Sequence, residues 1–246
     1  MKQVYYKDIG LVEYGDAWHM QETLMKKGLD VKAAWYNDAA NDSMRSQHID
    51  NYLLICNHPH VYTLGKSGHI ENLLVNDSKL QQIGATFYKT NRGGDITYHG
   101  PGQLVGYPIL DLEQFYTDLG KYMRNLEEVI IQTLDKFGIP TGRLQGSTGV
   151  WLDADDAYKA RKICAMGVRS SRWITMHGFA LNVNADLQYF DNIVPCGISD
   201  KKVTSMHKEL GLSVDEQNVK EVLKKCFEQV FECELVNNLV TQDIKV

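Results

Sequence analysis

Apolar positions along the chain switch between two periods, and the switches mark its elements. Over residues 14–35, Trp18, Gln21, Leu24, Met25 and Leu29 recur at helical spacing. Over 119–137, Leu119, Tyr122, Met123, Leu126, Ile130, Leu134 and Phe137 share one helical face. Asp118 is placed to cap its start, Gly138 to end it, and Pro140 bars continuation. Ser213-Val214-Asp215-Glu216 fits a capping box, and behind it Val219, Val222, Leu223, Cys226, Phe227 and Val230 predict a C-terminal amphipathic helix. Shorter apolar runs read as strands: Tyr52 to Cys56, Val61 to Leu64, Phe87 to Thr90, Leu104 to Leu110, Val150-Trp151, Lys162 to Val168 and Trp173 to Val183. The strands come in runs and do not alternate regularly with helices. That order predicts an α+β fold, a mixed sheet with packed helices, over a doubly wound parallel one. With no repeat and no Pro/Gly/Ser linker, the expectation is one domain over 1–246.

Composition narrows the function classes. Hydrophobic residues make up 43% and charged residues 23% of 246, as in a globular protein with a sizeable core. The net charge of −5 argues against a nucleic-acid binder, which needs a Lys/Arg surplus. No basic start followed by an apolar run marks a secretory signal, and no apolar stretch is long enough for a membrane span. The five cysteines, at 56, 164, 196, 226 and 233, form no C-x-x-C pair and leave an odd count, so a disulfide framework or cysteine zinc site is not expected. Reduced thiols and a cytoplasmic location follow as expectations.

Four segments carry candidate chemistry. Arg92-Gly93-Gly94-Asp95-Ile96-Thr97-Tyr98-His99-Gly100-Pro101-Gly102-Gln103 puts four glycines among donors and acceptors. Glycines let backbone approach a ligand closely. It matches neither phosphate-binding glycine pattern, and reads either as a functional loop or as a long ordered connection. His58, His60 and His69 lack a nearby carboxylate, and outward-facing histidines on a strand edge fit better than a metal site. Lys162 enters an apolar strand with Cys164 on its face. Either it is desolvated and usable as a base, or its head group reaches water. Cys196, between Pro195 and Gly197, sits on a tight turn, where a thiol is either reactive or merely structural; Cys56, Cys164 and Cys226 sit in apolar runs and read as core.

Together these segments resemble the lipoyl(octanoyl) transferase family. The matching pieces are His58-Pro59 with Val61 to Gly65, the loop Arg92 to Gln103, and Gly149-Val150-Trp151. Lys162-Ile163 with Gly167, His177-Gly178-Phe179-Ala180-Leu181-Asn182 and Pro195-Cys196-Gly197-Ile198 follow in the family's order. The resemblance runs from about residue 50 to residue 206. It implies the biotin/lipoate-protein ligase type of catalytic domain. It also implies transfer of an octanoyl group from acyl carrier protein to a lysine of lipoyl domains, in the 2-oxoacid dehydrogenase E2 subunits and the glycine-cleavage carrier protein. Cys196 would be the acyl-accepting nucleophile and Lys162 its base. Arg92, Gly93, Gly94, Asp95, Ile96, Thr97, Tyr98 and His99 would line the acyl site. Ala165, Met166, Gly167, Gly178, Phe179 and Ala180 would supply its remaining walls. Thioester exchange is nearly balanced, so no ATP, metal or other cofactor is implied, nor any nucleic-acid or membrane partner, and nothing demands more than a monomer. An acidic carrier predicts a basic rim, for which Lys66, Arg161, Lys162, Arg169 and Arg172 are candidates. The alternatives are an amidotransferase moving octanoyl between lipoyl domains and an ATP-dependent lipoate ligase.

Overall fold

The computed structural model describes residues 1–37, 48–156, 158–194 and 202–237. Their main sheet has the order β10-β8-β9-β6-β2-β1-β11, with β7 paired to β8. Here β1 is Lys2–Leu11, β2 Tyr52–Asn57, β6 Gln103–Ile109, β7 Val150–Leu152, β8 Arg161–Ser171, β9 Ile174–Asn182, β10 Lys202–Val203 and β11 Cys233–Val236. A second sheet, β4-β3-β5, is built from β3 (Val61–Leu64), β4 (Thr86–Lys89) and β5 (Ile96–His99). Both sheets are mixed, as expected: β1 runs parallel to β2 and β11, β3 parallel to β4, and β6, β8 and β9 pair antiparallel.

Every residue of β6 and β9 is buried, because helices cover both faces of the sheet. On one face lies α1 (Tyr14–Asn37), which presents Ala17, Met20, Leu24 and Met25 to Leu54, Val105, Tyr107, Met176 and Ala180. On the other lie α3 (Leu119–Asp135) and α5 (Glu216–Phe231). They pack Leu126, Ile130, Leu223 and Phe227 onto Leu53, Leu104, Phe179 and Leu181. Two short helices are α2 (Asp77–Gln82), between β3 and β4, and α4 (Met206–Leu210), between β10 and α5. Asp118 caps α3 by accepting from the Lys121 amide, as its sequence predicts. The cap of α5 is Asp215 and not Ser213: its carboxylate accepts from the Gln217 amide, so the cap lies two residues beyond the expected one. The β8–β9 hairpin turns on Arg172 and Trp173, with φ of 46° and 66°. Two consecutive left-handed residues match the twist of the strands they join, so Trp173 belongs to the turn and not to β9.

Candidate functional site

The loop after β4 is tied to the small sheet through Arg92 and to the main sheet through Gly93, and this double tie shapes the site. The Arg92 guanidinium, 7% exposed, donates to the Thr63 carbonyl at 2.6 Å and to Thr63 Oγ1 at 2.9 Å. The next two residues run along glycines. The Gly93 amide donates to the Val168 carbonyl at 2.9 Å. A Cβ on Gly167 would stand 2.7 Å from the Gly93 carbonyl oxygen, and one on Gly65 would stand 2.2 Å from that of Gly94. Gly178 and Gly106 face each other in the same way, a Cβ on Gly178 falling 2.2 Å from the Gly106 oxygen. The loop therefore lies on bare backbone, and β9 on β6, at separations that no side chain allows.

Between this loop and strands β6, β8 and β9 lies a cavity, part of it open to solvent. Arg92, Gly94, Asp95, Ile96, Thr97 and His99 line it from the small sheet and its loop. Lys162, Ala165, Met166, Gly167, Gly178, Phe179 and Ala180 line it from β8 and β9. Two expected wall residues are elsewhere. Tyr98 packs into the core of the small sheet, where it is 0% exposed and its hydroxyl is hydrogen-bonded to His60 Nδ1 at 2.7 Å. Gly93 lines a neighbouring cavity, together with Ser147, Thr148, Trp151 and Lys202. Gly94, Lys162, Met166 and Gly167 line both cavities, so Lys162 stands on their common wall. Its ammonium lies 4.6 Å from the centroid of the Trp151 ring. Cys196 lies outside the described residues.

A directed chain of hydrogen bonds backs the cavity. Thr63 Oγ1, already accepting from Arg92, is left to donate to His99 Nε2 at 3.4 Å. His99 Nδ1 then donates to Gln103 Oε1 at 2.8 Å. The Gln103 amide donates to Asn182 Oδ1 at 2.8 Å, and Asn182 to the Thr204 carbonyl at 2.9 Å. Burial, with the neighbouring His58 next in weight, lowers the His99 pKa to about 3. His58 is buried between the end of β2 and β6, which corrects the expectation of an outward-facing strand-edge histidine. Its Nδ1 donates to the Val12 carbonyl, and its Nε2 accepts from the Tyr107 hydroxyl, both at 2.7 Å. Burial lowers its pKa to about 4. His60 stacks on Tyr189 at 4.0 Å, and His69 is exposed. Among the described residues no cluster of His, Cys, Asp or Glu could hold a metal ion.

His177 sits within β9 at φ of 59°, a conformation uncommon for a non-glycine residue. That twist turns its amide out of the ladder to donate to Gln21 Oε1 of α1 at 2.9 Å, while Nε2 donates to Asn91 Oδ1 at 2.7 Å. Burial, then the positive charge of Arg92, lowers its pKa to about 3. His177, Tyr14, Tyr107 and Asn182 line the cavity although the sequence reading did not assign them to it. His177 and Asn182 bracket the His-Gly-Phe-Ala-Leu-Asn run, which was the available signal. Tyr14 reads only as the start of a helix.

The described cysteines are buried. Burial raises the Cys56 and Cys164 thiols far above their ordinary pKa, Cys164 despite the charge of Lys162 nearby. Of the residues expected in a basic rim, Arg161 is committed to a bidentate pair with Glu209, at 2.7 Å on each nitrogen. Arg172 lies in the hairpin turn, and Arg169 packs on Met176 Sδ at 3.6 Å. No helix among the described residues is long and apolar enough to cross a membrane.

Residues 13–228 match the lipoyl protein ligase A/B catalytic domain family. The octanoyltransferase of Cytophaga hutchinsonii is 53% identical over 98% of this chain and 97% of its own length. That of Flavobacterium johnsoniae is 55% identical over 96% and 99%. In three dimensions the chain resembles a bi-partite lipoate protein ligase from Thermoplasma acidophilum. The TM-score is 0.69 at 14% identity, covering 99% of this chain and 89% of the other. A lipoate-protein ligase A bound with ATP gives 0.66 at 14% identity, covering 98% and 90%. At that identity the likeness concerns the fold.

Proposed function

The chain belongs to the lipoyl(octanoyl) transferase family, within the lipoyl protein ligase A/B catalytic domain, and from that premise we propose how it moves the octanoyl group. The observation that carries the reading is Lys162 on the wall shared by two cavities. The enzyme is an octanoyltransferase of lipoate biosynthesis. Its acyl chain lies in the cavity walled by Ile96, Val105, Met166, Phe179 and Ala180, where each buried CH₂ contributes roughly 0.8 kcal/mol. The donor is the thioester of acyl carrier protein, and the acceptor is a lysine of a lipoyl domain.

Lys162 takes the thiol proton of Cys196 and becomes an ammonium, which the face of Trp151 then stabilises. The thiolate attacks the donor carbonyl. The new C–S bond to Cys196 forms, the old one to the carrier breaks, and the ammonium proton goes to the departing carrier thiolate. In the second half the acceptor amine attacks the acyl-enzyme, the bond to Cys196 breaks, and Lys162 passes the amine's proton to the cysteine sulfur. Acyl-sulfur is exchanged for acyl-sulfur and then for amide, so ATP is not consumed.

Incubation with octanoyl-acyl carrier protein should add one octanoyl group, on Cys196, seen by mass spectrometry of the intact protein and its peptides. No adduct on the unmodified chain, or an adduct that persists elsewhere in Cys196→Ala, overturns the reading.

A further inference from the structure

We propose that Glu127 is a positioning residue for Lys162, acting through the segment Gly149 to Trp151; the proposal rests on Lys162 being the base of the transfer. Glu127 belongs to α3, on the face that packs against the sheet, and is 0% exposed. A fully buried carboxylate is costly unless its oxygens are well satisfied. Here Oε2 accepts from Arg124 at 2.7 Å and from Arg143 Nε at 3.0 Å, and Oε1 accepts from the Gly149 amide at 3.1 Å. Arg143 also donates to Glu128 at 2.7 Å and to the Arg124 carbonyl at 2.9 Å. One carboxylate thus ties both ends of the connection 143–149 to α3.

The segment it holds approaches Lys162 at two places. Gly149 has φ of 107°, and a Cβ there would stand 2.5 Å from the Cys164 carbonyl oxygen and 3.6 Å from Lys162 Cε. Two residues on, Trp151 pairs with Lys162 across β7–β8 and sets its ring 4.6 Å from the ammonium. The register shifts between Val150 and Trp151, so pairing alone does not fix this corner of the sheet. The Glu127–Gly149 bond supplies the missing restraint. The Lys162 stem runs past Gly149 with its nitrogen over Trp151, and Arg124 and Arg143 hold the carboxylate that fixes this corner. An ordinary buried glutamate that only closes a helix–loop contact would affect folding and leave the lysine's chemistry alone.

The two roles separate by competitive acetylation with limiting acetic anhydride over a pH series, read lysine by lysine by mass spectrometry on the full chain. In Glu127→Gln the labelling of Lys162 should change by about threefold or more at a given pH, as expected for coupled groups, while exposed Lys26 and Lys79 label as before. Should Glu127→Gln fail to fold, Arg143→Gln decides. It keeps the carboxylate and its Arg124 partner, and should shift Lys162 in the same direction. A Lys162 profile that superimposes on that of the unmodified protein in the folded variant overturns the proposal. The labelling needs no octanoyl donor, so it gives its answer whether or not the acyl-enzyme forms.

Discussion

His99 donates from Nδ1 to Gln103 Oε1 across 2.8 Å, and that single bond fixes the orientation of every group from Arg92 to Asn182. The Gln103 amide nitrogen has two oxygens to serve, Asn182 Oδ1 and the Tyr98 carbonyl, so its own oxygen must face His99. Removing one member leaves the others buried and unpaired. Gln103→Leu is therefore expected to lose about 1–3 kcal/mol of stability in denaturant unfolding, the cost of orphaned buried polar groups. An unchanged midpoint would show that the chain of bonds contributes little.

Acid should destabilise this protein through its buried histidines. His58, His99 and His177 are depressed to about 4, 3 and 3, below the value near 6.5 of an unfolded chain. Between those limits the unfolded state binds more protons, so the stability held by keeping the three rings neutral is complete above about pH 6.5 and is lost as pH falls toward 3. Denaturant titrations over this window should show a falling free energy. His177→Gln should flatten the dependence by up to one proton's worth. A slope that the substitution leaves untouched contradicts the assignment.

Bare backbone contacts under the glycine-rich loop predict a sharp steric effect. In Gly65→Ala the new methyl would stand 2.2 Å from the Gly94 oxygen and 2.9 Å from Arg92 Nη1. The loop must shift, and its Gly94 belongs to the wall that Lys162 also lines. We expect acyl-enzyme formation to slow by at least about tenfold, since misplacement by an ångström is costly in catalysis, with a stability loss of about 1–3 kcal/mol. Stopped-flow acylation and thermal unfolding measure the two effects separately.

Alkylation should discriminate among the five thiols. Cys56, Cys164, Cys226 and Cys233 are buried, and burial pushes Cys233 up to about 12. Iodoacetamide near neutral pH should modify Cys196 first and abolish transfer in proportion. Modification of Cys164 at a comparable rate in the folded protein would make the assignment of the nucleophile ambiguous, and Cys164→Ala would then resolve it.

What could be read in the sequence depended on whether the physics was local. The α3 helix was legible from one apolar stripe and an aspartate at its start. So were β6 and β9, because strands covered on both faces are continuous apolar runs. The strand β1 was not legible: Lys2, Lys7 and Asp8 interrupt it, and Val4 alone is buried, so it is held by partners distant in sequence. The same holds within the site. The loop Arg92 to Gln103 and the β8 and β9 positions were nameable as motifs, yet motif membership does not say which way Tyr98 points, and packing against Tyr62, Tyr189 and Phe190 holds it in the small sheet. Tyr14 reaches the cavity only through the packing of α1 on the sheet, and no spacing encodes that.

The pairing of β1 with β11, which joins Lys2 to Cys233, bears on how the protein is made. A ribosome releases the first strand long before the last, and until β11 arrives one rim of β1 has unsatisfied amides and carbonyls. Closing so distant a contact costs chain entropy ahead of any reward, which predicts slow folding that finishes only once β11 is in place. During that interval the nascent sheet is a template for pairing with other chains. Production at lower temperature, or with chaperones that shield strand edges, should raise the soluble yield for this reason.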